Sequence, residues 1–150
     1  MESISGSVKY FYEIKSTFHI PSIEFINSFN INRNIEKEEL FYNKITEKIG
    51  KNYIIINEDI NRNLKINRKF IISDLPLFNI NGSSTIVFDS IKLLENSKEI
   101  HIISTFWSMI IYLLQKKYNI FQNTPIYFHN YVRNGYYSHL YSDSGWKVIN

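Results

Sequence analysis

The sequence predicts an α/β protein: a single three-layer domain with a mainly parallel sheet and helices packed on it. Three observations point there. Short β-branched runs such as "NYIIIN" and "EIHII" lack the polar alternation of a half-exposed strand, which marks strands covered on both faces. Helical segments of about a dozen residues separate these runs, the order expected of parallel strands joined by crossovers. And 150 residues with 44% hydrophobic content suit one domain with one core.

Taken in order, residues 1–7, "MESISGS", read as a disordered end, and residues 8–150 as the domain. The aromatic stretch that follows is mixed in period, and Pro21 breaks it. Asn34 is a good N-cap for a helix over "IEKEELFYNKITEKIG", with Glu36, Glu38 and Glu39 near its positive end and Gly50 just past its close. Leu40, Phe41, Ile45 and Ile49 form its expected buried stripe. "NYIIIN" is the first strand. A second strand is expected around Phe70–Ser73, stopped by Asp74 and Pro76. Ser83, Ser84 or Thr85 would cap a helix reaching about Asn96, with Val87, Ile91 and Leu94 on one face.

"EIHII" is the third strand. Beyond it Phe106, Met109, Ile110, Leu113, Leu114 and Lys117 recur at helical spacing, so an amphipathic helix begins near Thr105. "PIYFHNY" and "GWKVI" supply a fourth and fifth strand. The chain lacks alanine, and Ile and Asn fill 45 of its positions, which is best explained by A+T-rich codon usage. Scattered Asn and Lys are therefore poor evidence of binding, and the helices depend on packing more than on intrinsic propensity.

Composition excludes several chemistries. Without cysteine there is no disulfide, thiolate nucleophile or thiolate metal site. No apolar run is long enough to span a bilayer and no leader is evident at Met1, so a soluble, cytoplasmic protein is expected. Seventeen basic residues interleave with 14 acidic ones for a net charge of +3, a balance that names no partner. The aromatic stretch "NYVRNGYYSHLYSDSGW" could stack bases or sugar rings or equally be an ordinary packed tail, and a nucleic-acid partner is not the expectation. The four histidines lack H-x-x-x-H spacing, and neither a dinucleotide fingerprint nor a P-loop nor a nucleophile elbow is present. Neither a metal nor a cofactor is expected.

The candidate site residues cluster where strands end. Ser104 and Thr105 stand at a strand-to-helix turn, and in open α/β sheets ligands bind at the carboxyl ends of strands. A helix start there offers N–H donors and partial positive charge, both suited to phosphate, although capping alone is the simpler reading of two hydroxyls. Glu58, Asp59 and Arg62 share the loop after the first strand. Arg62 could reach the same anion, since a guanidinium binds phosphate oxygens two at a time, while a solvated turn explains the same residues. Glu99 and His101 point to one side of their strand. A histidine in an apolar run is more often a hydrogen-bonded core residue than a catalyst. His129 ends the fourth strand, a better place for a ligand contact, and Arg133 follows it in a loop.

Several of these segments, in order, resemble a group of predicted glycosyltransferases with a strand–"HDDpsR" loop and a later "EIHxIxSSF" strand–helix turn. Here they read "IIINEDINRNLKI" and "KEIHIISTFW", with "FYEI", "YFHNYVRN" and "WKVI" also similar. The likeness runs from about Tyr10 to Ile149. It implies the carboxyl-terminal, Rossmann-like, donor-binding half of a GT-B-type enzyme, distantly like fucosyltransferases. By that resemblance Arg62 would hold the diphosphate of a nucleotide sugar, with Ser104, Thr105 and Phe106 cradling it. Asp89 matches an acidic position of the fucosyltransferase pattern that touches the base or sugar, and Glu99 and His101 match the "EIH" pair, to which the resemblance assigns no role. Asp59, His101, His129 and Arg133 are further candidate substrate contacts from their positions alone, and no catalytic residue is assigned. The family's histidine before its acidic pair is Asn57 here, and its second serine is Thr105. A GT-B enzyme has two such halves and this chain has room for one. The resemblance therefore implies a fragment, a half completed by a second chain, or a binding module without catalysis.

Overall fold

A computed structural model describes residues 23–82, 87–133 and 138–150. The chain divides into two units, Met1–Asn30 and Ile31–Asn150. In the first, only helix α1 (Ile23–Ser28) and the two residues after it are described, and Ser28 Oγ donates to the Phe25 carbonyl. The expectations for residues 1–7 and for "FYEI" lie outside the described residues.

The second unit is an α/β fold of Rossmann-like type. Its sheet holds β1 (Ile54–Ile56), β2 (Leu77–Asn79), β3 (Glu99–Ile102), β4 (Ile126–His129) and β5 (Lys147–Ile149), all parallel, in the order β2-β1-β3-β4-β5. The chain leaves β1 in one direction to form β2, then returns past β1 to build β3, β4 and β5. The order therefore reverses between β1 and β3, and ligands in doubly wound sheets bind at such a switch point.

Side chains alternate across the sheet. Phe78, Ile55, Ile100, Ile102 and Phe128 share one face by register. Helix α2 (Ile35–Ile49) covers it through Phe41, whose ring meets Phe78 at 6.4 Å, and Tyr141 of α5 (Ser138–Asp143) packs on Phe128 at 4.7 Å. The opposite face carries Ile54 and Ile56. There the third layer is the β1–β2 connection, whose Leu64, Ile66, Ile71 and Leu75 close over those isoleucines with two 3-10 turns and no long helix.

Helix α2 begins and ends as expected: Asn34 Oδ1 accepts from the Lys37 N–H, and Gly50 stands at its C-terminus with a positive φ. Its stripe differs. Phe41 and Ile45 are buried, Ile49 is half-buried, and Leu40 is exposed. Glu38 is buried instead, because Arg33 bridges it and Glu95 of α3 (Ile91–Glu95), pinning two helices with one guanidinium.

The expected strand around Phe70–Ser73 is not formed. Residues Arg68–Phe70 make a 3-10 turn, and the second strand follows Pro76. Proline cannot donate to a ladder, yet at the entry of an edge strand it needs only its carbonyl, which here accepts from the Ile54 N–H at 2.9 Å. The expected helix to Asn96 is shorter than its pattern: a 3-10 turn at Val87–Ser90 precedes α3. Its anticipated caps, Ser83, Ser84 and Thr85, lie outside the described residues. Helix α4 (Phe106–Tyr118) starts as expected but is buried on nearly all sides from Trp107 to Leu114, whereas Phe106 is exposed. Tyr141 and Trp146 supply the extra cover, through Tyr141 Oη on Ser108 Oγ and Trp146 Nε1 on Gln115. Among the described residues no helix is long and apolar enough to cross a membrane.

Candidate functional site

The sheet's switch point opens into a cleft of about 310 Å³ lined by Arg62, Ile80, Asn81, Val87, Thr105, Phe106 and Trp107. Its walls come from the segments after β1, β2 and β3, so all the lining residues stand at the carboxyl side of the sheet. Arg62 and Thr105, proposed from sequence as partners on one anion, share this cleft.

Each wall has a local cause. Asp59 Oδ1 accepts the Arg62 N–H and caps a 3-10 turn over Ile60–Arg62, Asn63 adopts a left-handed conformation, and Asp59 and Leu64 pair antiparallel. This tight loop holds the Arg62 backbone, while its side chain stays 60% exposed. Arg62 Nε donates to Asp59 Oδ2 at 2.6 Å, and Nη2 contacts the same oxygen. Nη1 makes no such contact among the described residues, so the guanidinium keeps donors for a ligand. The Arg62 hydrogen bond is the main reason the Asp59 carboxyl titrates below its ordinary value, with Arg133 adding a smaller pull.

On the facing wall Thr105 caps α4. Its Oγ1 accepts from the Trp107 N–H at 3.2 Å, and Ser108 Oγ accepts from the Thr105 N–H at 3.3 Å, a capping box with serine in the third position. Thr105 Oγ1 also donates to Asn57 Oδ1 at 2.5 Å. Asn57 is fully buried, and its Nδ2 has no hydrogen-bond partner among the described residues. A buried amide with a spare donor beside a capped helix start is an unusual cost in a folded chain.

Ser104 is half-buried in the same turn but does not line the cleft, and neither does Asp89, in the 3-10 turn that begins with the lining residue Val87. Arg133 is half-buried near Asp59. Glu58 departs from its loop neighbours. It is buried, accepts from the Ile66 N–H at 2.7 Å, and takes both Arg68 terminal nitrogens at 2.6 and 2.9 Å. Burial pushes its carboxyl upward, but those hydrogen bonds outweigh it and hold the group below the ordinary carboxylate value. Arg68 went unnoticed in the sequence because a ten-residue separation within a loop carries no period.

His101 and His129 are brought together, away from the cleft lining. Both are fully buried, with His101 Nδ1 and His129 Nε2 2.9 Å apart and His101 Nε2 3.0 Å from Glu99 Oε2. Burial lowers the pKa of both imidazoles, that of His129 to about 4, with His101 and Arg68 adding to the depression. Among the described residues no group of acidic and histidine side chains could hold a metal ion.

Comparison with protein-family models, curated proteins and solved structures finds no match. The site therefore rests on its own geometry.

Proposed function

We propose that the chain binds a nucleoside-diphosphate sugar in this cleft and acts as the donor-binding half of a glycosyltransferase. The observation that carries the reading is the shared cleft: an exposed guanidinium and the capped start of a 13-residue helix line one depression at the switch point. The helix dipole and the Arg62 fork would both favour a diphosphate, and both would gain as negative charge builds on it during sugar transfer. The sugar's anomeric carbon would leave the diphosphate and bond to an acceptor hydroxyl. A second chain or a further domain would present that acceptor.

A second reading has its own support. The described sheet domain is one Rossmann-like unit, which fits a nucleotide-sugar- or partner-binding module that does not catalyse. A nucleic-acid partner is less favoured, because basic and acidic residues interleave along the chain.

Calorimetric titration of uridine- and guanosine-diphosphate sugars into the chain tests the reading. Arg62→Ala is expected to weaken binding about ten- to a hundredfold, the scale of one lost charge-assisted hydrogen bond. Equal binding by the two proteins refutes it. Binding without turnover, alone and with candidate partners, favours the non-catalytic module. Binding of RNA or DNA that weakens steeply with salt would favour the nucleic-acid reading instead.

A further inference from the structure

Asn57 follows β1 directly at the switch point, and its backbone N–H donates to the His101 carbonyl at 2.8 Å, which ties it to β3. Its side chain is fully buried and does not line the cleft, whereas Thr105 is half-buried and does. The 2.5 Å hydrogen bond from Thr105 Oγ1 to Asn57 Oδ1 joins the two. Asn57 can therefore act on a ligand only through Thr105.

A hydroxyl has one proton and two lone pairs. Thr105 Oγ1 accepts from the Trp107 N–H and spends its proton on Asn57. Arranged so, the hydroxyl has no proton for an anion, and Asn57 Nδ2 stays buried without a partner among the described residues. A half-turn of the amide about its Cβ–Cγ bond reverses both conditions. Nδ2 then donates to Thr105 Oγ1, and the hydroxyl proton is released on the side of the cleft. Oxygen and NH2 are nearly equal in size and this torsion is soft, so the exchange needs no opening of the surroundings. It leaves Oδ1 short of a donor, a commoner situation in proteins than an orphaned N–H.

We propose that Asn57 is a positioning residue for the anion: when a phosphate group enters the cleft, Thr105 Oγ1 donates to it, and Asn57 Nδ2 replaces Oδ1 against Thr105. The exchange deepens the diphosphate site of the reading above and rests on it. Without an anion the half-turned amide strands the hydroxyl proton, so the described arrangement prevails. An anion gives that proton an acceptor and thereby gives the orphaned amide a partner. A ligand shifts two states only by what it gains in one of them, and here the gain belongs to hydrogen-bond acceptors alone. Arg62 supplies charge from the other wall of the cleft, and Thr105 adds a hydroxyl donor that simple capping withholds.

Inorganic pyrophosphate titrated into the full 15N-labelled chain tests this, read at the side-chain NH2 resonances of Asn57. In the wild type they are expected to shift with the same saturation as the Thr105 amide. Thr105→Val is expected to weaken pyrophosphate about ten- to a hundredfold, the scale of a hydrogen bond to a charged group, and to leave the Asn57 NH2 still. Thr105→Ser keeps the hydroxyl and is expected to retain both responses. Asn57→Asp keeps an acceptor and loses the donor, so it holds the hydroxyl proton permanently. Thr105→Val added to it is then expected to cost no further affinity. A merely structural Asn57 would leave its NH2 unmoved throughout, and the two substitutions would add.

An unmoved NH2, additive losses, Thr105→Val binding as tightly as wild type, or no pyrophosphate binding at all overturns the proposal. Should Asn57→Asp fail to fold, the wild-type and Thr105 titrations decide alone. Nucleotide sugars titrated separately decide the donor-half reading. A chain that makes the exchange with pyrophosphate but binds no nucleotide sugar upholds the role of Asn57 and refutes the donor half.

Discussion

Glu58 and Asp59 are consecutive residues, each joined to an arginine, and they do different work because of what surrounds them. Glu58 is 4% exposed and its three acceptor contacts, from Arg68 and the Ile66 N–H, fold the β1–β2 connection onto Ile54 and Ile56. Asp59 pairs with a guanidinium that is 60% exposed at the lip of the cleft. Alternation at the end of a strand turns one carboxylate inward and the other outward. The inner pair holds the layer in place, and the outer pair holds an arginine where an anion can take it over. Identical chemistry therefore does not predict role; burial does.

Breaking the inner pair has the largest expected effect. Glu58→Ala leaves the buried Ile66 N–H unsatisfied and is predicted to cost about 2–4 kcal/mol of stability, measured by urea unfolding. Arg68 is half exposed and recovers water, which keeps the loss below that of a fully buried ion pair. A cost under about 1 kcal/mol would mean that the two carboxylates are equivalent after all.

Acid is predicted to weaken the fold by a similar amount through the histidine pair. The folded-state value of His129 lies near 4, below the 6.5 of an unhindered imidazole. The unfolded chain therefore takes up the proton first, so stability is complete above about pH 6.5 and declines as pH falls toward 4. The loss approaches about 3 kcal/mol from this group. His129→Gln should flatten the urea midpoint over that range, and an undiminished slope would place the acid sensitivity elsewhere.

At the outer pair the expected changes are in binding, with stability nearly constant. Arg62→Ala should alter stability by less than about 0.5 kcal/mol while weakening the diphosphate ligand as stated above. Thr105→Val removes a cap and the Asn57 hydrogen bond, which predicts about 1–2 kcal/mol of lost stability together with weaker binding. Asp59→Asn keeps the cap but loosens the hold on Arg62. It is expected to raise diphosphate affinity about two- to fivefold, since a competing charge is removed. Reduced affinity would show that Asp59 positions Arg62 more than it competes for it.

Much of this architecture was legible in the sequence, and the gaps have physical causes. Strands β1, β3, β4 and β5 announced themselves as apolar runs, and α2 and α4 by caps and period. β2 was misplaced because Asp74 and Pro76 read as a stop, whereas the proline opens an edge strand that needs only its carbonyl. The breadth of burial on α4 depends on Tyr141 and Trp146, more than twenty residues away, so a one-face pattern could not reveal it. In the site, Arg62 and Thr105 were readable as residues that follow strands. The Glu58–Arg68, Asn57–Thr105 and His101–His129 contacts were not, because each depends on register or loop closure that no local spacing encodes.

The central claim is that one anion is held jointly by Arg62 and the start of α4. Amide and arginine side-chain NMR shifts on titrating a nucleoside diphosphate into the 15N-labelled chain test it most directly. The account predicts that the Arg62 Nε–H and the Thr105, Phe106 and Trp107 amides move together with one saturation curve, and that the amides of β5 stay still. Shifts confined to β5, or Arg62 saturating apart from the helix start, would contradict it.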